Sequence, residues 1–128
     1  MSNNEFGKFI TEKRKLKKIS LRGMAELLEL SPAYWSDIEK GRRNPPKIDK
    51  LEELSNILEL SQQELDKMID MASEGRGEIP MDLPEYIKNN ELAKVALRKA
   101  SRIDNIDDKV DVTNKAWEEF IKALDEES

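Results

Sequence analysis

The stretch SPAYWSDIEKGRRNPP, Ser31 to Pro46, sets two adjacent arginines, Arg42 and Arg43, between a glycine and two prolines, just after a run that begins with a helix-capping serine. Adjacent guanidinium groups in a loop suit a polyanion, because each presents a planar fork of N–H donors that matches phosphate oxygens. The surrounding charge agrees. Residues 1–50 hold 12 Lys/Arg against 7 Asp/Glu, whereas residues 51–128 hold 10 against 20, so a chain of formal charge −5 divides into a basic and an acidic half. Such asymmetry marks a polyanion-binding part joined to a part that avoids polyanions, or else solvated helix faces that merely differ in charge. Other chemistries are poorly supplied. With no cysteine and no histidine, the chain lacks disulfides, thiolate and imidazole metal ligands, and the usual nucleophile and base pairs. Its carboxylates form no recognisable acid/base constellation, so neither catalysis nor a cofactor or metal is expected.

The elements that must position those arginines read as helices. A chain of 128 residues with five glycines and five prolines is too poor in turn formers for a dense sheet protein and is expected to be all-α. No apolar run approaches the roughly 18 residues that span a bilayer, and MSNNEFGKF lacks an apolar signal core, so a cytoplasmic protein with no membrane partner is expected. Phe6, Phe9, Ile10 and Leu16 fit one face of a first helix whose end is basic from Lys13 to Lys18. Ser20 caps a second, with Leu21, Met24, Ala25 and Leu28 recurring at i, i+3, i+4 and i+7. After only Glu29 and Leu30, Ser31 caps a third, with Pro32 at its first position, Trp35 and Ile38 facing inward, and Gly41 placed to end it in a left-handed conformation. Pro45 and Pro46 keep the helix from resuming before Lys47. Two helices joined by so short a turn make a helix-turn-helix. Leu51, Leu54, Ile57 and Leu58 stripe a fourth helix, and Ser61 with Glu64 forms the capping box of a fifth carrying Leu65, Met68, Ile69 and Ala72.

The block SLRGMAELLELSPAYWSDIEKGRRNPP, preceded by RKLKKI and followed by LEELSNILEL, resembles the phage-repressor and Cro-like (Xre) helix-turn-helix regulators over roughly residues 5–72. That resemblance implies a five-helix lambda-repressor-like domain that binds double-stranded DNA with the Ser31–Lys40 helix in the major groove. It also implies a structural ion pair between Arg14 and Glu39. The positions it carries to base edges are Ser31, Pro32, Ala33, Ser36 and Asp37, where Pro32 and Ala33 offer apolar contacts to a thymine methyl. Asp37 either accepts from cytosine or stays a solvated residue, and much of the specificity would then come from DNA shape. For phosphates the resemblance points to Arg42 and Arg43, with Arg22 and Lys47 as neighbours and exposed amides at the Ser20 and Ser31 helix starts. Tyr34 either hydrogen-bonds a phosphate or packs partly buried; Trp35 belongs to the core. Two positions depart from the family pattern: Glu29 stands where relatives commonly have glycine, and Lys13 where an apolar side chain is usual.

Beyond residue 72 the segment SEGRGEIPMDLP, residues 73–84, carries two glycines and two prolines and reads as a linker. Residues 85–128 then offer a short helix from Pro84 to Asn89, a second with Leu92, Val95, Ala96 and Ile103, and a last one striped by Trp117, Phe120, Ile121 and Leu124. So small a region barely closes a core of its own, so the last stripe is expected at a homodimer interface, with packing onto the first domain as the alternative. The expected function is a transcriptional regulator, a dimeric repressor reading a palindromic operator. The competing expectation is an antitoxin or a mobile-element repressor whose C-terminal region is bound by a toxin or cleaved by a metallopeptidase partner.

Overall fold

The computed structural model describes residues 4–107 and 109–127, and among them the chain is all-helical. In order come α1 (Glu5–Leu16), α2 (Leu21–Leu27), α3 (Pro32–Glu39), α4 (Ile48–Leu58), α5 (Gln62–Gly75), α6 (Leu83–Lys88), α7 (Glu91–Arg102), a π-helical segment (Ile103–Asp107) and α8 (Val110–Glu127). The chain divides into two compact units, Met1–Pro84 and Glu85–Ser128. Among the described residues no helix is long and apolar enough to cross a membrane.

In the first unit, side chains from α1 to α5 close one core around Trp35, with Ile10, Met24, Leu28, Leu51, Leu54 and Met68 fully buried. Four of these five helices, all but α4, start where a short polar side chain takes an orphan amide. Ser20 Oγ accepts from Gly23 N, Ser31 Oγ from Tyr34 N, and Ser61 Oγ from Glu64 N, while Ser61 N donates to Glu64 Oε1 at 3.0 Å to complete the capping box. Asn4 does two jobs at once. Its Oδ1 accepts from Gly7 N, and its Nδ2 donates to the carbonyl of Glu39 at 2.9 Å, tying the start of α1 to the end of α3. At that crossing α1 carries Gly7, where a Cβ would stand 2.1 Å from the Glu39 carbonyl oxygen. Only a residue without a side chain allows so close an approach.

The expected inward face of α1 holds for Phe6, Phe9 and Ile10 but not for Leu16, which is 71% exposed. The last turn gives its inward positions to Lys13 and Arg14 instead. Arg14 is buried, and Lys13 lies 5.6 Å from the centre of the Phe9 ring while its ammonium pairs with Glu64. The apolar stem thus covers the core and the charge stays at the edge. Among the described residues, three helix ends turn through left-handed residues that are not glycine: Lys18, Glu29 and Glu59.

Residues 73–84 begin inside α5, which runs on to Gly75, and then fold back on the first unit. The buried Ser73 Oγ donates to Ile69 O and accepts from Met81 N at 3.2 Å, Met81 packs against the core, and Arg76 Nη1 donates to Pro45 O. In the second unit α7 starts at the cap Asn90, and α8 is fastened to the π-helical segment by Thr113 Oγ1, which donates to Asp104 Oδ1 at 2.6 Å.

Candidate nucleic-acid interface

The chain turns from α2 to α3 through Leu28, Glu29 and Leu30. Glu29 sits at φ 59°, and the Leu30 amide returns to the Ala25 carbonyl at 2.8 Å, closing the end of α2 just before the Ser31 cap of α3. The non-glycine turn residue expected from the sequence therefore adopts the left-handed conformation that its position demands. Behind the turn, Lys50 Nζ donates to the Leu28 carbonyl at 2.7 Å, so a cation from α4 satisfies an otherwise open helix end.

The orientation of α3 is fixed from its buried side. Arg14 Nε and Nη2 donate to the two Glu39 carboxylate oxygens at 2.8 and 2.9 Å, Arg14 Nη1 donates to Ile19 O, and Thr11 Oγ1 donates to Glu39. Both charged residues are buried, at 7% and 6% exposure, and the pair is bidentate with nearly every donor and acceptor used. Arg14 faces inward and has no part in the outer surface.

That outer surface carries the residues expected to meet DNA. Ser31, Pro32, Ala33 and Tyr34 are exposed along the first turn of α3, while Ser36 and Asp37 are half-buried one turn on. Gly41, at φ 78°, ends the helix, and the amides of Arg42 and Arg43 both return to the Asp37 carbonyl, at 2.8 and 3.3 Å. The Asp37 carboxylate in turn lies 3.7 Å from Arg42 Nη1 and 3.7 Å from Arg43 Nε. Arg43 also lies over the Tyr34 ring, 4.7 Å from guanidinium carbon to ring centre. Asp37 near the end of α3 thus faces both guanidinium groups and Tyr34 on its first turn stacks on that of Arg43, while both arginines stay more than half exposed.

Beside the loop lies a groove of about 720 Å³ that gathers Arg42, Arg43, Lys47, Lys50 and Arg76 around Tyr34 and Pro46, with Asp49 the acidic residue on its wall. Arg42, Arg43, Tyr34 and Lys47 come together here as one basic surface. Arg22, on α2, lies outside the groove. Lys50 and Arg76 escape sequence reasoning. Lys50 is one cation on an amphipathic helix, and Arg76 falls in a stretch whose glycines and prolines suggest a linker. The start of α4 adds to the positive potential, because its cap residue Lys47 supplies no side-chain acceptor and leaves the first amides open. A surface of this kind can grip successive phosphates while an exposed helix start is presented to what lies between them.

No curated protein and no solved structure matches the chain. A family model described as a helix-turn-helix domain matches residues 5–68, half of the chain, which are α1 to α4 and the first half of α5. With two capped helices, a short turn between them and a basic loop behind, this protein belongs to the helix-turn-helix family of the Xre and lambda-repressor-like type.

Proposed function

We propose that the protein is a cytoplasmic, sequence-specific transcriptional repressor that binds a palindromic operator as a dimer. What carries the reading is the joining of Arg42 and Arg43 to the end of α3 through a single residue, Asp37, so that phosphate grip and base reading share one rigid mount. In this reading Arg42, Arg43 and Lys47 bind phosphates, with Lys50 and Arg76 behind them, Tyr34 supporting Arg43 and Arg22 flanking from α2. The exposed Ser31, Pro32 and Ala33 meet base edges, Pro32 and Ala33 through apolar contact with thymine methyls. Ser36 flanks them. Asp37 serves more as a holder of the arginines than as an acceptor for cytosine, since its carboxylate already faces two guanidinium groups. With so few hydrogen-bonding readers, DNA shape supplies a large share of the selectivity. A second copy adds the rest, since two recognition helices about 34 Å apart read both halves of a palindrome. Trp117, Phe120, Ile121 and Leu124 on α8 are the proposed dimer contacts.

The test is titration of DNA from upstream of the protein's own gene against scrambled DNA at two salt concentrations. Preference for the native fragment that survives the higher salt supports the reading; weak binding to both that vanishes with salt refutes it. In the same assay Arg42→Ala/Arg43→Ala should weaken binding to every sequence and reduce the slope of log affinity on log salt by about 2, one unit for each lost phosphate contact. An unchanged slope removes both arginines from the interface.

A further inference from the structure

We propose that the second unit pairs with a second copy of this chain as a twofold four-helix bundle in which α7 of each copy lies against α8 of the other. The proposal rests on the dimeric reading above and replaces a general expectation of contact through α8 with a specific pairing of helices.

The second unit leaves apolar surface uncovered on both of its long helices. On α7, Leu92 is 82% exposed and Val95 and Leu97 are also open; on α8, Phe120, Ile121 and Leu124 are each more than half exposed. Thr113 is the buried residue of these two helices among the described residues. Between the helices runs an open apolar groove of about 240 Å³, floored by Ala96, Ala100 and Ala116 and walled by Ile103, Trp117 and Phe120. The small floor and aromatic wall leave room for a large side chain from outside. A unit of this size has too little interior to offset the ordering of its own chain.

The spacing on α8 is that of a helix built for a partner helix. Val110, Thr113, Trp117, Phe120 and Leu124 recur at alternating steps of three and four, the seam of a helical bundle.

Charge selects the occupant. Helix α7 carries Lys94, Arg98, Lys99 and Arg102 against Glu91 alone, whereas α8 carries six acidic residues against Lys115 and Lys122. Packing α8 on α8 would bring two acidic helices side by side, and packing α7 on α7 two basic ones. A twofold axis that brings α7 to the partner's α8 satisfies both helices at once, and a second copy of the same hairpin supplies both complements in one molecule. A foreign helix of either charge would answer one of the two and repel the other.

The experiment measures the mass of the full chain by sedimentation equilibrium without DNA. Two variants reverse exposed charges: Arg98→Glu/Lys99→Glu/Arg102→Glu on α7, and Glu118→Lys/Glu119→Lys/Glu126→Lys on α8. The native chain should be a dimer. Each variant alone should be monomeric at concentrations where the native chain pairs, with native helical content by circular dichroism. Mixed in equal amounts, the two should form a mixed dimer at least about tenfold tighter than either self-association, because both cross-pairings then regain opposite charge. A monomeric native chain overturns the proposal and leaves the groove to a foreign protein. An α7 variant that stays dimeric overturns it in favour of α8 against α8, and a mixture that stays monomeric removes the charge argument. Since mass is read without DNA, any of these failures leaves the DNA titration to stand or fall on its own.

Discussion

Arg14 and Glu39 hold α3 from behind, and their value lies in being together. Removing one strands the other in the core, so Arg14→Met should lower the unfolding free energy by about 3–5 kcal/mol, while Arg14→Met/Glu39→Leu should recover most of that loss. Denaturant unfolding of the two variants checks this, and equal instability would mean that the buried charge is not what matters. This pair was legible in the sequence through the family resemblance, because the two positions are recognisable by their distance from the helix-turn-helix. The close approach of Gly7 to the end of α3 was not. Nothing in EFGKF separates a glycine tolerated in a helix from one pressed against the Glu39 carbonyl, since that neighbour comes from another helix. The residues proposed to face base edges rest on resemblance for a related reason: exposure leaves no apolar period to read.

Helix starts could be placed from the sequence because a cap is a local event among neighbouring residues, as Ser20, Ser31 and Ser61 show. Helix ends were harder. Gly41 advertises its left-handed turn, and the strain at Glu29 could be anticipated, but Lys18 and Glu59 take the same conformation with no signal of glycine or asparagine. A side chain costs energy in that conformation. Glu29→Gly should therefore stabilise the fold by roughly 0.5–1 kcal/mol in thermal or denaturant unfolding, the gain being trimmed by glycine's freedom in the unfolded chain. The capping box of α5 has its own signature in pH. The hydrogen bond from Lys13, with a further one from the Ser61 amide, holds the Glu64 carboxyl down from 4.5 to about 2. Because the folded value lies below the ordinary one, this stabilisation is present above about pH 4.5 and is lost as the pH falls toward 2. Carbon-13 titration of the Glu64 carboxyl should show the low midpoint, and Lys13→Met should return it toward the ordinary range.

Across the whole molecule, composition misleads most in residues 73–84. Its glycines and prolines suggest free chain, yet Gly75 is helical beside Pro45 and Gly77, at φ 70°, turns the backbone so that Met81 can return to Ser73. These residues complete the first unit. A fragment ending at residue 84 should unfold cooperatively, and one ending at residue 72 should be less stable by about 2 kcal/mol, having lost the Ser73 hydrogen bonds and the burial of Met81. Equal midpoints in thermal melts would return the segment to the status of a linker. The amphipathic character of α7 and α8 was legible because it follows from periodicity; which helix each pairs with is a proposal that the charge-reversed variants decide. The Asp37 carbonyl, which receives the amides of both Arg42 and Arg43, carries a thermodynamic consequence. The main chain of the arginine loop is ordered before any polyanion arrives, so docking freezes side-chain torsions and little else. The heat-capacity change on binding then follows the surface desolvated, without the large added increment that accompanies coupled folding.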